Sequence, residues 1–158
     1  MDGVKSEKLV QLAREKGATI ATAESCTGGL LSGAITDVPG SSDVFDRGFI
    51  TYSNAAKHDM LEVDPDLIAT YGAVSKEVAV AMAEGALARS IANIAVSVTG
   101  VAGPGASGTK PEGRVCFGLA VAGKSTHSET VEFGAKGREV VRANSVSHAL
   151  GLLGKALS

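Results

Sequence analysis

Cysteine, net charge and long apolar runs are all scarce in this chain of 158 residues. The two cysteines, Cys26 and Cys116, are too few and too unpatterned for a disulfide framework or a zinc site. The formal net charge is -2 and no stripe of lysine and arginine stands out, which argues against nucleic acid as a partner. The longest apolar stretches, such as residues 94–98 and 115–122, are far shorter than a membrane span, and the N-terminus lacks the apolar core of a signal peptide. We therefore expect a soluble, cytoplasmic protein without a membrane partner.

Size and composition favour a single domain over residues 1–158. Hydrophobic residues make up 44% of the chain and charged residues 20%, a composition that can form one full hydrophobic core. The chain of 158 residues is too short for two domains of ordinary size. No internal repeat, low-complexity tract or interdomain linker interrupts the sequence.

Apolar periodicity and turn signals predict alternating helices and strands in the first half of the chain. Leu9, Leu12 and Ala13 share one face of a first helix at residues 6–16, which Gly17 ends. The other predicted elements here are a strand at 18–23, a helix capped by Thr27 and running to about residue 37, a strand at 45–52, helices at 54–61 and from Pro65, and a helix capped by Ser75 that ends near residue 89.

The sequence of the second half predicts one strand, then an antiparallel hairpin of two further strands, and then a closing helix. A strand at residues 91–98 runs into a glycine- and proline-rich loop at 99–108. Strands at 115–121 and 126–133 pair about a short turn, and the last helix carries Val146, Leu150, Leu153 and Leu157 on one face. This order predicts an α/β fold, a three-layer α/β/α sandwich whose mixed sheet includes the late antiparallel hairpin.

Two glycine patterns match nucleotide-binding motifs in letters but not in context. Residues 118–125 satisfy the P-loop pattern, yet they form an apolar strand followed by another strand, so no helix N-terminus faces an anion. Residues 103–108 satisfy the dinucleotide fingerprint, but the helix that should follow is missing. We expect that residues 118–125 do not bind phosphate as a P-loop and that residues 103–108 do not bind a dinucleotide as a Rossmann motif. The loop at 103–108 is nevertheless a good candidate to line a ligand site.

Ser25 lies where α/β folds place reactive groups, between the end of a strand and the start of a helix whose first amides are unpaired. Such amides can stabilise an oxyanion, and Gly28 and Gly29 leave them open to a ligand. Thr27 can cap the helix or donate to the ligand. The alternative is that Ser25 and Thr27 only cap the helix.

A serine nucleophile needs a base, and the surrounding residues do not form the usual Gly-x-Ser-x-Gly elbow. Lys57 lies in the first turn of a helix after the second strand, so it can reach the same edge of the sheet; a desolvated lysine there could accept the serine's proton. A solvated Lys57 is the alternative, and Cys26 is a rival nucleophile. The three histidines of the chain are scattered without metal-ligand spacing, so we predict no metal site.

Four segments together resemble the CinA C-terminal family. They are residues 23–29 (AESCTGG), residues 47–54 (RGFITYSN) with Lys57, residues 72–75 (GAVS) and residues 99–104 (TGVAGP). The resemblance covers nearly the whole chain. It implies nicotinamide-nucleotide amidase activity, which converts nicotinamide mononucleotide and water to nicotinate mononucleotide and ammonia in pyridine-nucleotide (NAD) salvage, without a cofactor or metal. Larger relatives carry an N-terminal molybdopterin-binding-like domain; only the C-terminal unit is seen here, which favours a stand-alone deamidase.

The resemblance also implies roles for individual residues. Ser25 would attack the carboxamide carbon, Lys57 would accept its proton and Tyr52 would assist. The remaining implied site residues are the oxyanion-binding amides near Thr27, Gly28 and Gly29, the pocket-lining Thr99, Gly100 and Gly103, and the phosphate ligands Arg138 and Arg142. The family's usual acidic residue before the first of these arginines is Gly137 here. A non-catalytic nucleotide-binding or regulatory module is the alternative function, and an exposed edge of the late hairpin suggests a homo-oligomer, with a dimer expected.

Overall fold

The computed structural model describes residues 2–158. Six α-helices and five β-strands are found in that range, with one short 3-10 turn at Ser41–Asp43. In chain order they are α1 (Asp2–Lys16), β1 (Ile20–Glu24), α2 (Leu30–Thr36), β2 (Phe45–Ile50), α3 (Asn54–Leu61), α4 (Pro65–Tyr71), α5 (Lys76–Ala88), β3 (Ile94–Gly100), β4 (Arg114–Val121), β5 (His127–Glu132) and α6 (Arg138–Leu157).

The five strands form one mixed sheet in the order β2-β1-β3-β4-β5. The central strand β1 runs parallel to both β2 and β3, whereas β3, β4 and β5 are successively antiparallel. The predicted late hairpin is therefore β4–β5, and β2 and β5 are the two edge strands. The parallel half of the sheet brings the carboxyl ends of β1, β2 and β3 to one edge.

Helices cover both faces of this sheet. All five residues of β1 are buried, as expected for a strand packed on both sides. Leu9, Ile35 and Leu150 represent the core on the face covered by α1, α2 and α6. Leu61 and Met82 belong to the core on the opposite face, under α3, α4 and α5. The predicted three-layer α/β/α sandwich is confirmed.

Helix α5 shows how closely these layers approach each other. Ser75 caps it as predicted, since its hydroxyl accepts from the Val78 amide at 3.2 Å. The helix then packs on β4 at Gly118, where a Cβ atom would lie 2.5 Å from the Ala79 carbonyl oxygen. Gly118 begins the P-loop-like segment, which forms the second half of β4 and the turn before β5. The prediction that this segment holds no phosphate-binding helix start is confirmed.

The predicted start of the second helix was wrong. Thr27 was expected to cap it, but α2 begins at Leu30 with Gly29 as its N-cap and without a side-chain cap hydrogen bond at that position. Gly28 and Gly29 have φ angles of 56° and 105°, in the region that favours glycine and is incompatible with helix. The two glycines therefore insert a turn between β1 and α2.

None of the helices within residues 2–158 is both long and apolar enough to cross a membrane.

Candidate active site

Ser25 and Lys57 meet at the carboxyl end of the parallel strands. Ser25 directly follows β1, and its amide donates to the Val98 carbonyl on β3 at 2.9 Å. Lys57 lies on α3, and the Ser53 hydroxyl caps that helix by accepting from the Ala56 amide at 3.0 Å. This arrangement places Lys57 Nζ 3.0 Å from Ser25 Oγ. The side chains are 1% and 8% exposed for Lys57 and Ser25, respectively, so the pair is shielded from bulk water.

The other two partners of the Lys57 amine show which way its lone pair points. Lys57 Nζ donates to the carbonyl oxygens of Thr51 at 2.9 Å and of Tyr52 at 3.3 Å. A carbonyl oxygen can only accept, so these two bonds use both hydrogens of a neutral amine. Ser25 Oγ, which accepts from Lys57 Nζ and donates to the Tyr52 carbonyl at 3.4 Å in this structure, lies on the side where the lone pair of a neutral Lys57 amine would point. This is the geometry of a base that can remove the proton of a serine.

Burial favours that neutral form. Desolvation lowers the pKa of Lys57 to about 8 from its ordinary 10.5. No ion pair between Lys57 and a carboxylate forms among residues 2–158 to stabilise the ammonium. A substantial fraction of Lys57 is therefore unprotonated just above neutral pH. The predicted alternative of a solvated lysine was wrong.

Cys26, the rival nucleophile, lies in a different electrostatic environment. Burial raises the pKa of its thiol to about 11. The reactive form of cysteine is the thiolate, which is scarce at neutral pH for such a thiol. The raised thiol pKa, together with the 3.0 Å contact between Ser25 Oγ and Lys57 Nζ, favours Ser25 over Cys26.

Glu24 was not singled out from the sequence, yet it organises the segment after Ser25. Its buried carboxylate accepts from the Thr27 hydroxyl at 2.6 Å and from the amides of Gly29 at 3.1 Å and Leu31 at 2.9 Å. Ser32 donates both its amide, at 3.0 Å, and its hydroxyl, at 2.6 Å. The signal in the sequence was an acidic residue at the end of a buried strand, just before the start of a helix.

These bonds correct the role expected for residues 27–29. The amides of Gly29 and Leu31 at the start of α2 were expected to be unpaired, but they donate to Glu24. The amide of Gly28 donates to the Ser25 carbonyl at 3.1 Å. Thr27, Gly28 and Gly29 do not line the cavity in front of Ser25. The structure therefore does not place the start of α2 where an oxyanion would form.

A cavity of about 340 Å3 opens in front of the Ser25–Lys57 pair. It is lined by the predicted residues Ser25, Tyr52, Lys57, Thr99, Gly100, Gly103 and Arg138, together with Cys26, Asn54 and the loop up to Ser107. The glycine-rich loop of residues 103–107 thus forms one wall of the cavity, without a helix after it. The predicted absence of a helix directly after this loop is confirmed, since the next element is β4.

Tyr52 and Arg138 meet at the rim of this cavity. Arg138, the first residue of α6, donates to the Tyr52 hydroxyl at 2.8 Å and to the Gly103 carbonyl at 2.6 Å. The Tyr52 side chain is 58% exposed, so what this residue presents to Lys57 is its backbone carbonyl rather than its phenol. The structure therefore does not place the Tyr52 hydroxyl where it could assist proton transfer between Ser25 and Lys57.

Arg142 lies one turn further along α6 and points elsewhere. Its guanidinium donates to the carbonyl oxygens of Cys26 at 3.1 Å and Thr27 at 3.3 Å. It does not line the cavity. Of the two arginines expected at a phosphate, only Arg138 is brought to the site, while Arg142 holds the segment that follows Ser25.

The chain is a three-layer α/β protein. A buried serine–lysine pair lies at the end of its central parallel strand. The chain belongs to the CinA C-terminal domain family, which matches residues 4–157. The resemblance stated from the four sequence segments is confirmed.

Relatives of known sequence and structure agree with this assignment. A CinA-like protein of Chlorobium phaeobacteroides (strain BS1) is 51% identical over 156 residues, covering 96% of this chain and 37% of that protein. A CinA-like protein of Mycolicibacterium gilvum (strain PYR-GCK) is 51% identical over 144 residues, covering 90% of this chain and 34% of that protein. The chain thus spans little more than a third of the length of these relatives.

Solved structures match over nearly their whole length. The competence/damage inducible protein CihA from Agrobacterium tumefaciens superposes with a TM-score of 0.95 at 44% identity, covering 99% of this chain and 94% of that one. A competence-damaged protein (CinA) superfamily protein from Escherichia coli gives a TM-score of 0.94 at 31% identity, covering 98% and 90%.

Proposed function

We propose that this chain is an amidohydrolase that converts nicotinamide mononucleotide and water to nicotinate mononucleotide and ammonia, a step of pyridine-nucleotide salvage. The observation that carries the proposal is the buried contact of 3.0 Å between Ser25 Oγ and Lys57 Nζ. The cavity in front of this pair is about 340 Å3, the low end of the range for small-molecule sites. The substrate itself comes from the family resemblance.

The first half of the reaction forms an ester. Ser25 Oγ attacks the carboxamide carbon while its proton passes to the neutral Lys57 amine. When the carbon–nitrogen bond breaks, the Lys57 ammonium returns that proton to the leaving nitrogen, which departs as ammonia. The nicotinoyl group is then esterified to Ser25, and Lys57 is neutral again.

The second half hydrolyses this ester. Lys57 takes a proton from a water molecule as the water oxygen attacks the acyl carbon. The bond to Ser25 Oγ breaks, the proton on Lys57 restores the serine hydroxyl, and the acid product ionises and leaves. One residue thus serves as base and acid in both halves.

Each half passes through an oxyanion that needs a donor. Since Glu24 occupies the amides of Gly29 and Leu31, the amide of Cys26 is the better candidate. Cys26 lines the cavity directly after the nucleophile, and within residues 2–158 no hydrogen bond joins its amide to another residue. A backbone donor next to the nucleophile is a usual element of such a site.

Arg138 is the candidate for the substrate phosphate. It lines the cavity, and both of its hydrogen-bond acceptors, Gly103 O and the Tyr52 hydroxyl, are neutral. A guanidinium not neutralised by a carboxylate at a pocket rim suits a phosphate, which accepts two parallel bonds from it.

The proposal is tested by incubating the purified protein with nicotinamide mononucleotide in the presence of a metal chelator. We expect ammonia and nicotinate mononucleotide in equal amounts, and no product from Ser25→Ala. If the wild-type protein binds the nucleotide but releases no ammonia, the chain is a nucleotide-binding or regulatory module instead. If turnover requires added metal, the serine–lysine mechanism is wrong.

A further inference from the structure

Glu112 lies outside the cavity but contacts one of its walls. It precedes β4, in the segment that joins the glycine-rich loop to the sheet. Its Oε1 atom accepts from the Gly105 amide at 2.7 Å. Its side chain packs against Gly103, where a Cβ atom would lie 2.6 Å from the Glu112 carboxyl carbon. Because Gly103 also has a φ of 94°, a larger residue there would both strain the backbone and push Glu112 away.

The second oxygen of the same carboxylate reaches the start of α6. Glu112 Oε2 accepts from the amide of Gly137 at 3.3 Å, and Gly137 directly precedes Arg138. Arg138 in turn donates to the Gly103 carbonyl. The loop and the helix start are therefore joined twice, once through Glu112 and once through Arg138.

We infer that Glu112 is a positioning residue for substrate binding, which holds the loop wall and Arg138 at the spacing that the nucleotide requires. The inference rests on the proposed function for the identity of that nucleotide. Glu112 does not line the cavity, so it acts only through the residues it holds. The Ser25–Lys57 pair is attached to β1 and α3 and shares no hydrogen bond with Glu112. Loss of Glu112 should therefore weaken binding and leave the chemical step nearly unchanged.

Steady-state kinetics of Glu112→Ala with nicotinamide mononucleotide test this division. We expect KM to rise about tenfold, the scale of one lost charge-assisted hydrogen bond, with kcat within about threefold of wild type. Glu112→Gln keeps a side-chain oxygen that can accept from the Gly105 amide, but it turns its NH2 group, a donor, toward the Gly137 amide, which is also a donor. The KM of this variant should therefore lie between those of wild type and Glu112→Ala. Glu139→Ala is the matched control, because Glu139 is an exposed glutamate beside Arg138 and no hydrogen bond to it is found within residues 2–158.

Amide hydrogen exchange provides a readout that does not depend on activity. In Glu112→Ala, peptides covering residues 102–109 and 135–138 should exchange faster than in wild type, whereas Glu139→Ala should leave them unchanged. An unchanged exchange rate in Glu112→Ala overturns the inference, as does a fall in kcat with constant KM. If the wild-type protein shows no turnover, the proposed function fails, and exchange alone then decides whether Glu112 holds the loop and the helix start.

Discussion

The floor and the rim of the cavity are built in different ways. At the floor, Ser25 and Lys57 are both less than 9% exposed, and both bond to backbone carbonyl groups of the segment between β2 and α3. Glu24, equally buried behind them, bonds to the start of α2. At the rim, Tyr52 and Arg138 are exposed and bond to each other and to a glycine-rich loop. The floor is therefore largely shielded from bulk water by the surrounding protein, whereas the rim is exposed.

For the proposed reaction, this difference separates the residues expected to carry the chemistry from those expected to recognise the substrate. Desolvation at the floor shifts the pKa of Lys57 and produces a base. At the rim, the exposed Arg138 guanidinium can meet an anionic group of the proposed substrate. We expect variants at the floor to change kcat and variants at the rim to change KM.

The largest effect is expected for Ser25→Ala. Loss of a nucleophile lowers kcat by roughly ten-thousand-fold or more, measured as ammonia release. The variant removes one hydroxyl and should fold normally. Cys26→Ala is its matched control, because Cys26 lines the same cavity without contributing a thiolate. If Cys26→Ala is inactive and Ser25→Ala is active, the assignment of the nucleophile is reversed.

The second-largest effect is expected for Lys57→Met. This variant should lower kcat by about a thousandfold, which is within the range for loss of a general base. Methionine has a similar length but no amine for the Ser25 hydroxyl. Lys76→Met, at an exposed position at the start of α5, controls for the loss of one positive charge. Near-normal kcat in Lys57→Met would show that another group removes the proton.

The two arginines of α6 sharpen the comparison between floor and rim. Arg138→Ala should raise KM for the mononucleotide about thirtyfold, the scale of one charged hydrogen-bonded contact. With nicotinamide riboside, which lacks the phosphate, the same variant should behave like wild type. Arg142→Ala should affect both substrates alike, because Arg142 holds the carbonyl groups of Cys26 and Thr27. A phosphate-dependent defect in Arg142→Ala would contradict this division.

The pH dependence reports on the floor alone. Since Lys57 must be neutral to act as the base and its pKa is lowered to about 8, kcat/KM should rise about tenfold per pH unit below that value and level off above it. Arg138→Ala should keep the same profile at a lower level. A profile that is flat between pH 6 and 9 would rule out Lys57 as the titrating base.

The smallest effect concerns stability. Lys57 has a pKa of about 8 in the folded protein against 10.5 ordinarily, so the unfolded chain binds more protons between these values. The contribution of Lys57 to the free energy of unfolding should therefore rise with pH across that window, by at most about 1.4 kcal/mol per pH unit, whereas the buried Cys26 thiol, with its pKa raised to about 11, contributes in the opposite direction above about pH 9. Urea titrations at pH 8 and 9.5 measure it, and Lys57→Met should lack this contribution.

The fold was predictable because its signals are local. Buried apolar strands such as β3, the Ser75 cap and the apolar face of α6 all follow from sequence spacing. Placement of Ser25 at a strand end, with Lys57 on a helix after the next strand, also followed from element order. The desolvation of Lys57 did not, because it depends on packing between α3 and the sheet.

The details around Ser25 could not be derived from element order. A helix start was expected to offer free amides, but the neighbouring Glu24 takes them, and nothing in the spacing shows where a side chain on a buried strand will turn. Arg138 and Arg142 lie four residues apart on one helix, yet only one reaches the cavity. Glu112 contacts Gly105, seven residues earlier, and Gly137, 25 residues later, and no spacing rule predicts that pair of contacts.

Mass spectrometry of the protein quenched in acid during turnover tests the central claim most directly. With nicotinamide mononucleotide, the wild-type protein should gain the mass of the substrate minus ammonia, and fragmentation of the peptide that contains both Ser25 and Cys26 should place the added group on Ser25. An adduct on Cys26, or steady turnover without any adduct under conditions that trap an ester, would contradict the account.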